Sequence, residues 1–212
     1  MARAYAIFLW HGFFLAVTTA MLDLNTVFPA LVSSLVDSKA VFGLLYSIML
    51  GVPFVFNIVF GHYLQDKPRK KPYLILGIYL RVFAFLGMAL FTFIWAGERP
   101  LLLLLSLFGW VFLFSFSGGF AGLAYADIMG KMVPRGPRGR LYAVKQFVSS
   151  VALLLGGVLV ARLLTLDSLP YPSNYALLLG IGGGGLFVAA LAFWFIPEEP
   201  AERKGDPKES LW

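Results

Sequence analysis

The sequence predicts an all-α, polytopic membrane protein of six transmembrane helices. Three observations carry this. The 212-residue chain is 59% hydrophobic and only 13% charged, whereas soluble domains carry roughly 25% charged residues; its mean hydropathy is +0.82. Six apolar stretches reach the length of about 20 residues that a spanning helix needs. The segments between them alternate between strongly basic and weakly charged, as cytoplasmic and outer loops do. A net charge of +6 would point to nucleic acid in a soluble protein. Here it belongs to loops beside an anionic leaflet, so the expected partner is the lipid bilayer and not nucleic acid. The absence of cysteine excludes disulfides, thiolate metal sites and thiol catalysis.

The spans are expected at 5–33, 41–64, 72–95, 101–126, 140–165 and 174–196, forming one domain over 1–196. The first follows a single arginine, Arg3, and has no small-residue cleavage site leading to a soluble domain, so it reads as a retained helix. Ser33, Ser34, Asp37, Ser38 and Lys39 separate it from the second. Gly61 to Lys71 separates the second from the third, and Gly97-Glu98-Arg99-Pro100 the third from the fourth. Pro134 to Gly139 precedes the fifth and Asp167 to Pro172 the sixth, both rich in the residues that end helices. Pro197 and Pro200 close the last span, and a polar tail occupies 197–212.

Of the 17 Lys and Arg residues, twelve fall on one side of this map: Arg3, Lys67, Arg69, Lys70, Lys71, Lys131, Arg135, Arg138, Arg140, Arg203, Lys204 and Lys208. Lys39, Arg99 and Arg162 fall on the other, while Arg81 and Lys145 lie within or near spans. The imbalance predicts cytoplasmic termini and a cytoplasmic tail, and the plasma (inner) membrane is the expected location. Trp10, Trp95 and Trp194 near span ends fit interfacial anchoring. Ser115, Gly118, Gly119 and Gly122 form a small-residue face that permits close helix approach. The Gly182–Gly185 run reads either as a flexible segment or as a very close crossing.

The loop from Gly61 to Lys71 has a glycine, an acid and then Arg69 and Lys70, with Arg69 eight places after Gly61. Asp127 to Pro134, followed by Arg138-Gly139-Arg140, places an acid, a proline and an Arg-Gly pair ahead of the next span. With six spans and cytoplasmic ends, these features resemble the amino-terminal half of a major facilitator superfamily transporter, across nearly all of the chain. Asp66 stands one place later than the family's acid, Gln65 occupies that position, and Pro68 replaces a glycine. The resemblance implies two three-helix inverted repeats, half of a twelve-helix fold. It implies secondary transport of a small solute by alternating access, with a second six-helix half or self-association completing the assembly. It further implies a cytoplasmic gate of Gly61, Asp66, Arg69, Lys70, Asp127, Arg138 and Arg140, with Asp66 pairing Arg69 or Lys70 and Asp127 pairing Arg138, Arg140 or a loop residue.

Polar residues inside spans are candidates for the substrate or proton pathway, because a charge in hydrocarbon is costly without a partner or a cavity. Asp23 with Thr19 and Thr26 forms one stripe on a continuous first helix, and Thr18 with Asn25 forms the other. The Asp23 stripe is expected to face the cavity. Arg81 is open to three roles: an internal ion pair, contact with an anionic substrate, or snorkelling to the interface. Asn25 completes the set, with Asn57, Ser115, Ser117, Tyr125 and Gln146 as weaker candidates. No metal site or other cofactor is expected, since His11 and His62 lack an acidic cluster. An intramembrane serine protease built on Ser117 lacks a later histidine to accept its proton; an enzyme is therefore not expected. The alternative function is a non-transporting six-helix module that binds a partner or assists assembly.

Overall fold

The computed structural model describes residues 2–198 and 200. Among these there are seven helices and no strand: α1 (Ala2–Met21), α2 (Val27–Leu35), α3 (Lys39–Gln65), α4 (Lys71–Trp95), α5 (Pro100–Met132), α6 (Arg135–Leu164) and α7 (Ser173–Trp194). Six of them, all but α2, are long and apolar enough to cross a membrane. The chain is thus an all-α, multi-pass membrane protein. The tail residues 201–212, including Arg203, Lys204 and Lys208, lie outside the described residues.

The continuous helix expected over 5–33 is instead broken between Met21 and Val27. Asp23 causes the break. Its Oδ1 accepts a hydrogen bond from the Asn25 amide at 3.0 Å and another from the Thr26 hydroxyl at 2.7 Å. Such local bonds compete with the helical ladder and turn the chain. Beyond the turn, α2 buries Phe28, Leu31 and Val32 with the start of α5 and α3. Helical-wheel geometry carried past Met21 therefore does not describe Asn25 or Thr26.

The other helices keep close to their expected limits, with two extensions. α5 runs to Met132 rather than 126, and α6 begins at Arg135 rather than 140. Both extensions are polar turns projecting from the apolar stretch at the same end of the bundle. There Asp127 and Lys131 are paired, so the helix keeps its hydrogen bonds outside hydrocarbon.

Counting α1 with α2 as one span, helix contacts repeat with a twofold pattern. The second span of each set of three packs on the first span of the other: α3 on α5, and α6 on α1. The third spans do likewise, α4 on α5 and α7 on α1, and α4 also packs on α7. This is the contact pattern of two inverted three-helix repeats. The close pairs form a shell α5–α4–α7–α1, while the backbones of α1 and α5 stay apart and meet through the rings of Phe8, His11 and Tyr125. A wedge is left between them.

Small residues set the closest crossings. A Cβ on Gly182 would stand 2.7 Å from the Phe85 ring, and one on Gly156 would stand 2.6 Å from the Ala20 methyl. Gly182 lies inside the unbroken α7, so at this position the Gly182–Gly185 run is a close crossing. Thr18, buried on α1, donates across it to the Gly182 carbonyl at 3.0 Å. In contrast α3 and α6 bury few residues and expose long apolar faces.

Candidate functional site

Four ionisable or phenolic side chains from four helices meet in the wedge between α1 and α5. His11 of α1, Arg81 of α4, Tyr125 of α5 and Lys145 of α6 line one cavity of about 150 Å³. Tyr125 and Lys145 stand close to the polar turns of α5 and α6 at the basic end, whereas His11 and Arg81 lie nine and ten residues in from the starts of α1 and α4, about 14–15 Å at 1.5 Å per residue. That is near the middle of a hydrocarbon core of about 30 Å.

Glycines make room for both cations. Arg81 lies against Gly118, where an added Cβ would come 2.9 Å from its Nη2. Its Nε donates to the Phe114 carbonyl at 3.3 Å, and the guanidinium stands 4.2 Å from the Phe114 ring centroid. Lys145 lies across Gly12, whose Cβ would meet the lysine stem at 3.0 Å, and its ammonium sits 5.0 Å from the Tyr125 ring centroid. Both cations are turned into the bundle rather than toward its end. His11 is 6% exposed and wedged between the rings of Tyr125 and Phe193. Its Nδ1 and the Tyr125 hydroxyl are buried without a hydrogen-bond partner among the described residues. Buried polar groups in folded proteins are normally satisfied, so these two are unusual orphans beside the cavity.

A second cluster gathers at the basic end. The Lys70 ammonium pairs with Asp127 at 2.9 Å, and Lys131 bridges Asp127 at 2.7 Å to Glu198 at 3.2 Å. The Glu198 carboxylate accepts the backbone amides of Lys70 at 2.8 Å and Lys71 at 2.7 Å, capping the start of α4. An anion at a helix N-terminus is favoured by the unsatisfied amides and the dipole. Lys71 completes the exchange by donating to the carbonyls of Trp194 and Ile196 at the end of α7, 2.8 Å each. Three helix ends are thus tied together: the start of α4, the end of α5 and the segment after α7. The amino-terminal end of α1 joins the same side through Tyr5, which donates to Pro137.

The residues expected from sequence are distributed unevenly over these two sites. Arg81 lines the cavity, whereas Asp23, Asn25 and Thr26 lie in the α1–α2 turn. Thr19 is exposed and donates to its own helix at Leu15. Ser115 is buried and donates to Met49, joining α5 to α3. Asn57 is half-buried on α3 and Gln146 is exposed on α6; neither is among the residues that line the cavity.

At the basic end, Lys70 and Asp127 meet as a pair. Of the partners expected for Asp127, the structure gives a loop residue, Lys70, together with Lys131, and not Arg138 or Arg140. Arg138 turns to the carbonyls of Val133 at 2.7 Å and Gly130 at 2.6 Å, closing the end of α5, and Arg140 is exposed. Asp66 caps the end of α3, Gly61 faces open space, and Arg69 is exposed. Arg69 lines a larger groove of about 680 Å³ on the outer flank, walled by Ile75, Leu76, Tyr79 and Trp194. That groove lies outside the helix shell and is mostly apolar, so the smaller cavity is the better solute site.

Sequence reasoning missed His11, Lys145 and Glu198 as site residues. For the first two the signal was position: counted from the helix start, each is about as far along as Arg81. Glu198 acts on a helix 127 residues away, and no local pattern marks that.

Residues 9–211 match the family model described as Major Facilitator Superfamily. Searches of curated proteins and of solved structures gave no significant match.

Proposed function

The chain belongs to the major facilitator superfamily, a family of membrane transporters, and we propose that it moves a small solute by alternating access through the α1–α5 wedge. The observation that carries this reading is the polar cavity between two inverted three-helix repeats. Facilitator-type transport places its site near the midplane at the repeat interface and exposes it to each side in turn.

The basic end is read as cytoplasmic, with both termini there and the protein in the plasma membrane. Alternating access needs an opposing body, so the six spans would act with a second six-helix half or a second copy of this chain. The exposed apolar faces of α3 and α6, which flank α5 and α1, support that arrangement. The Lys70–Asp127–Lys131–Glu198 cluster would serve as a cytoplasmic latch that holds the two repeats as one rocking body. Asp66, Arg69, Arg138 and Arg140 would act at the same end. The Asp23 carboxylate is read as the stabiliser of the broken first span, since both contacts it makes are to that turn.

Gly122 provides the test. It lines the cavity, and nothing lies within 4 Å of the position its Cβ would occupy. The chain has no cysteine, so Gly122→Cys gives a single reactive thiol. An impermeant maleimide should reach it from both faces of sided membrane vesicles. Labelling from one face alone, under all solute conditions, would refute alternating access.

A further inference from the structure

We propose that the wedge cavity is an anion site, built to take a small doubly charged oxyanion such as phosphate or a short dicarboxylate. The inference rests on the reading of this cavity as the solute site and names the chemistry of what it accepts.

Arg81 and Lys145 line one cavity, and no carboxylate lines it among the described residues. The ion pairs among Lys70, Asp127, Lys131 and Glu198 lie in the latch at the basic end. Asp127, close in sequence to Tyr125, has its carboxylate engaged there by two lysines. The remaining acids lie in turns or near helix ends. Two cations turned into the bundle without a counter-charge are costly, and such residues pair with something. Here the pairing partner would be the solute, and two positive charges are balanced by a dianion.

The donors have the right kinds and placement. Arg81 uses its Nε on the Phe114 carbonyl, which fixes the plane of the guanidinium and leaves its other donors for a ligand. A planar fork matches the oxygens of a carboxylate or phosphate. Lys145 adds a compact charge, Tyr125 an unpartnered hydroxyl, and His11 an unpartnered ring nitrogen. The volume of about 150 Å³ is that of about five water molecules at roughly 30 Å³ each, which suits inorganic phosphate or the charged end of a short diacid. Gly12 and Gly118 leave the two cations room to lie close against α1 and α5: a Cβ at either would crowd the side chain of Lys145 or Arg81.

The test is binding to the purified full chain by isothermal titration, with inorganic phosphate, succinate, acetate, glucose and choline as probes. Phosphate or succinate should bind saturably and at least tenfold more tightly than acetate. Phosphate alone would assign a phosphate site, and succinate alone a dicarboxylate site. Arg81→Gln and Lys145→Gln should each weaken that binding tenfold or more, and Lys145→Arg should retain most of it. Tyr125→Phe should weaken it roughly tenfold, as loss of a hydrogen bond to a charged group does, without lowering the melting temperature of the unliganded protein. Because that hydroxyl has no partner, this variant separates binding from folding. Phosphate and succinate binding unaltered in both Tyr125→Phe and Lys145→Gln would overturn the proposal. So would absence of binding by both dianions. Anion binding without flux in vesicles would refute transport and leave the anion site standing. Glucose or choline flux blocked by Gly122→Leu, without anion binding, would do the reverse.

Discussion

Glu198→Gln is the sharpest perturbation of the latch, because one carboxylate holds the start of α4 with both oxygens. The side chain is 3% exposed, so its bonds are not weakened by solvent. Its Oε1 accepts the Lys70 amide and the Lys131 ammonium, and its Oε2 the Lys71 amide at 2.7 Å. Glutamine keeps one acceptor but turns an NH2 toward an N–H donor and removes the charge. Losing one hydrogen bond to a charged group costs about 1.5–3 kcal/mol. The pair with Lys131, whose side chain is 28% exposed, adds at most about 1 kcal/mol. A total near 3 kcal/mol corresponds to roughly a hundredfold shift between latched and unlatched states.

Ile196→Cys reads that shift, since Ile196 is 2% exposed and its carbonyl accepts from Lys71. In this single-cysteine background, Glu198→Gln should speed maleimide labelling by some tens to a hundredfold. Asp127→Asn should do so only about fivefold, because the Asp127 side chain is 28% exposed and its pairs are worth about 1 kcal/mol. A change under threefold for Glu198→Gln, or the opposite ranking, would refute the latch.

Three further outcomes follow from the same geometry. Gly182→Val should lower stability by about 1–3 kcal/mol through overpacking against Phe85, whereas Gly184→Ala, with nothing within 4 Å of its Cβ, should be neutral or slightly stabilising; thermal unfolding in detergent separates them. Asp23→Ala should cost about 1 kcal/mol by removing the acceptor of the α1–α2 turn. Asp23→Asn should cost less, and solute flux abolished by Asp23→Asn at unchanged stability would instead place the carboxylate in the pathway. Single cysteines at Lys67 and Arg99 should label from opposite faces of the membrane, with Lys67 on the cytoplasmic face; labelling from a common face would contradict the topology.

The spans were legible because hydrocarbon imposes a length and a composition that few other environments do. Leu15 through Ala30 offers no hydropathy dip deep enough to mark the α1–α2 break, yet Asp23, Asn25 and Thr26 are turn-forming residues in close succession. Their side-chain bonds decide the matter locally, below the resolution of an 18-residue average. The contrast within the site is also physical. Arg81 stands out because a lone charge in an apolar run is conspicuous. Lys145, five residues into its expected span and just after the basic segment Arg135 to Arg140, reads as lying near a span end until α6 is known to begin at Arg135. His11 hides for the same reason: its depth depends on α1 beginning at Ala2. Glu198 illustrates the limit, since capping a helix far earlier in the chain is a property of tertiary packing alone.

Flux through the cavity tests the central claim most directly. Membrane vesicles containing the full chain would be loaded with unlabelled phosphate or succinate, whichever binds, and uptake of the same anion in labelled form measured beside the Gly122→Leu variant. The account predicts saturable counterflow that Gly122→Leu abolishes while the protein remains folded. Counterflow of equal rate in the cavity-filled variant, or none in the native chain, would contradict it.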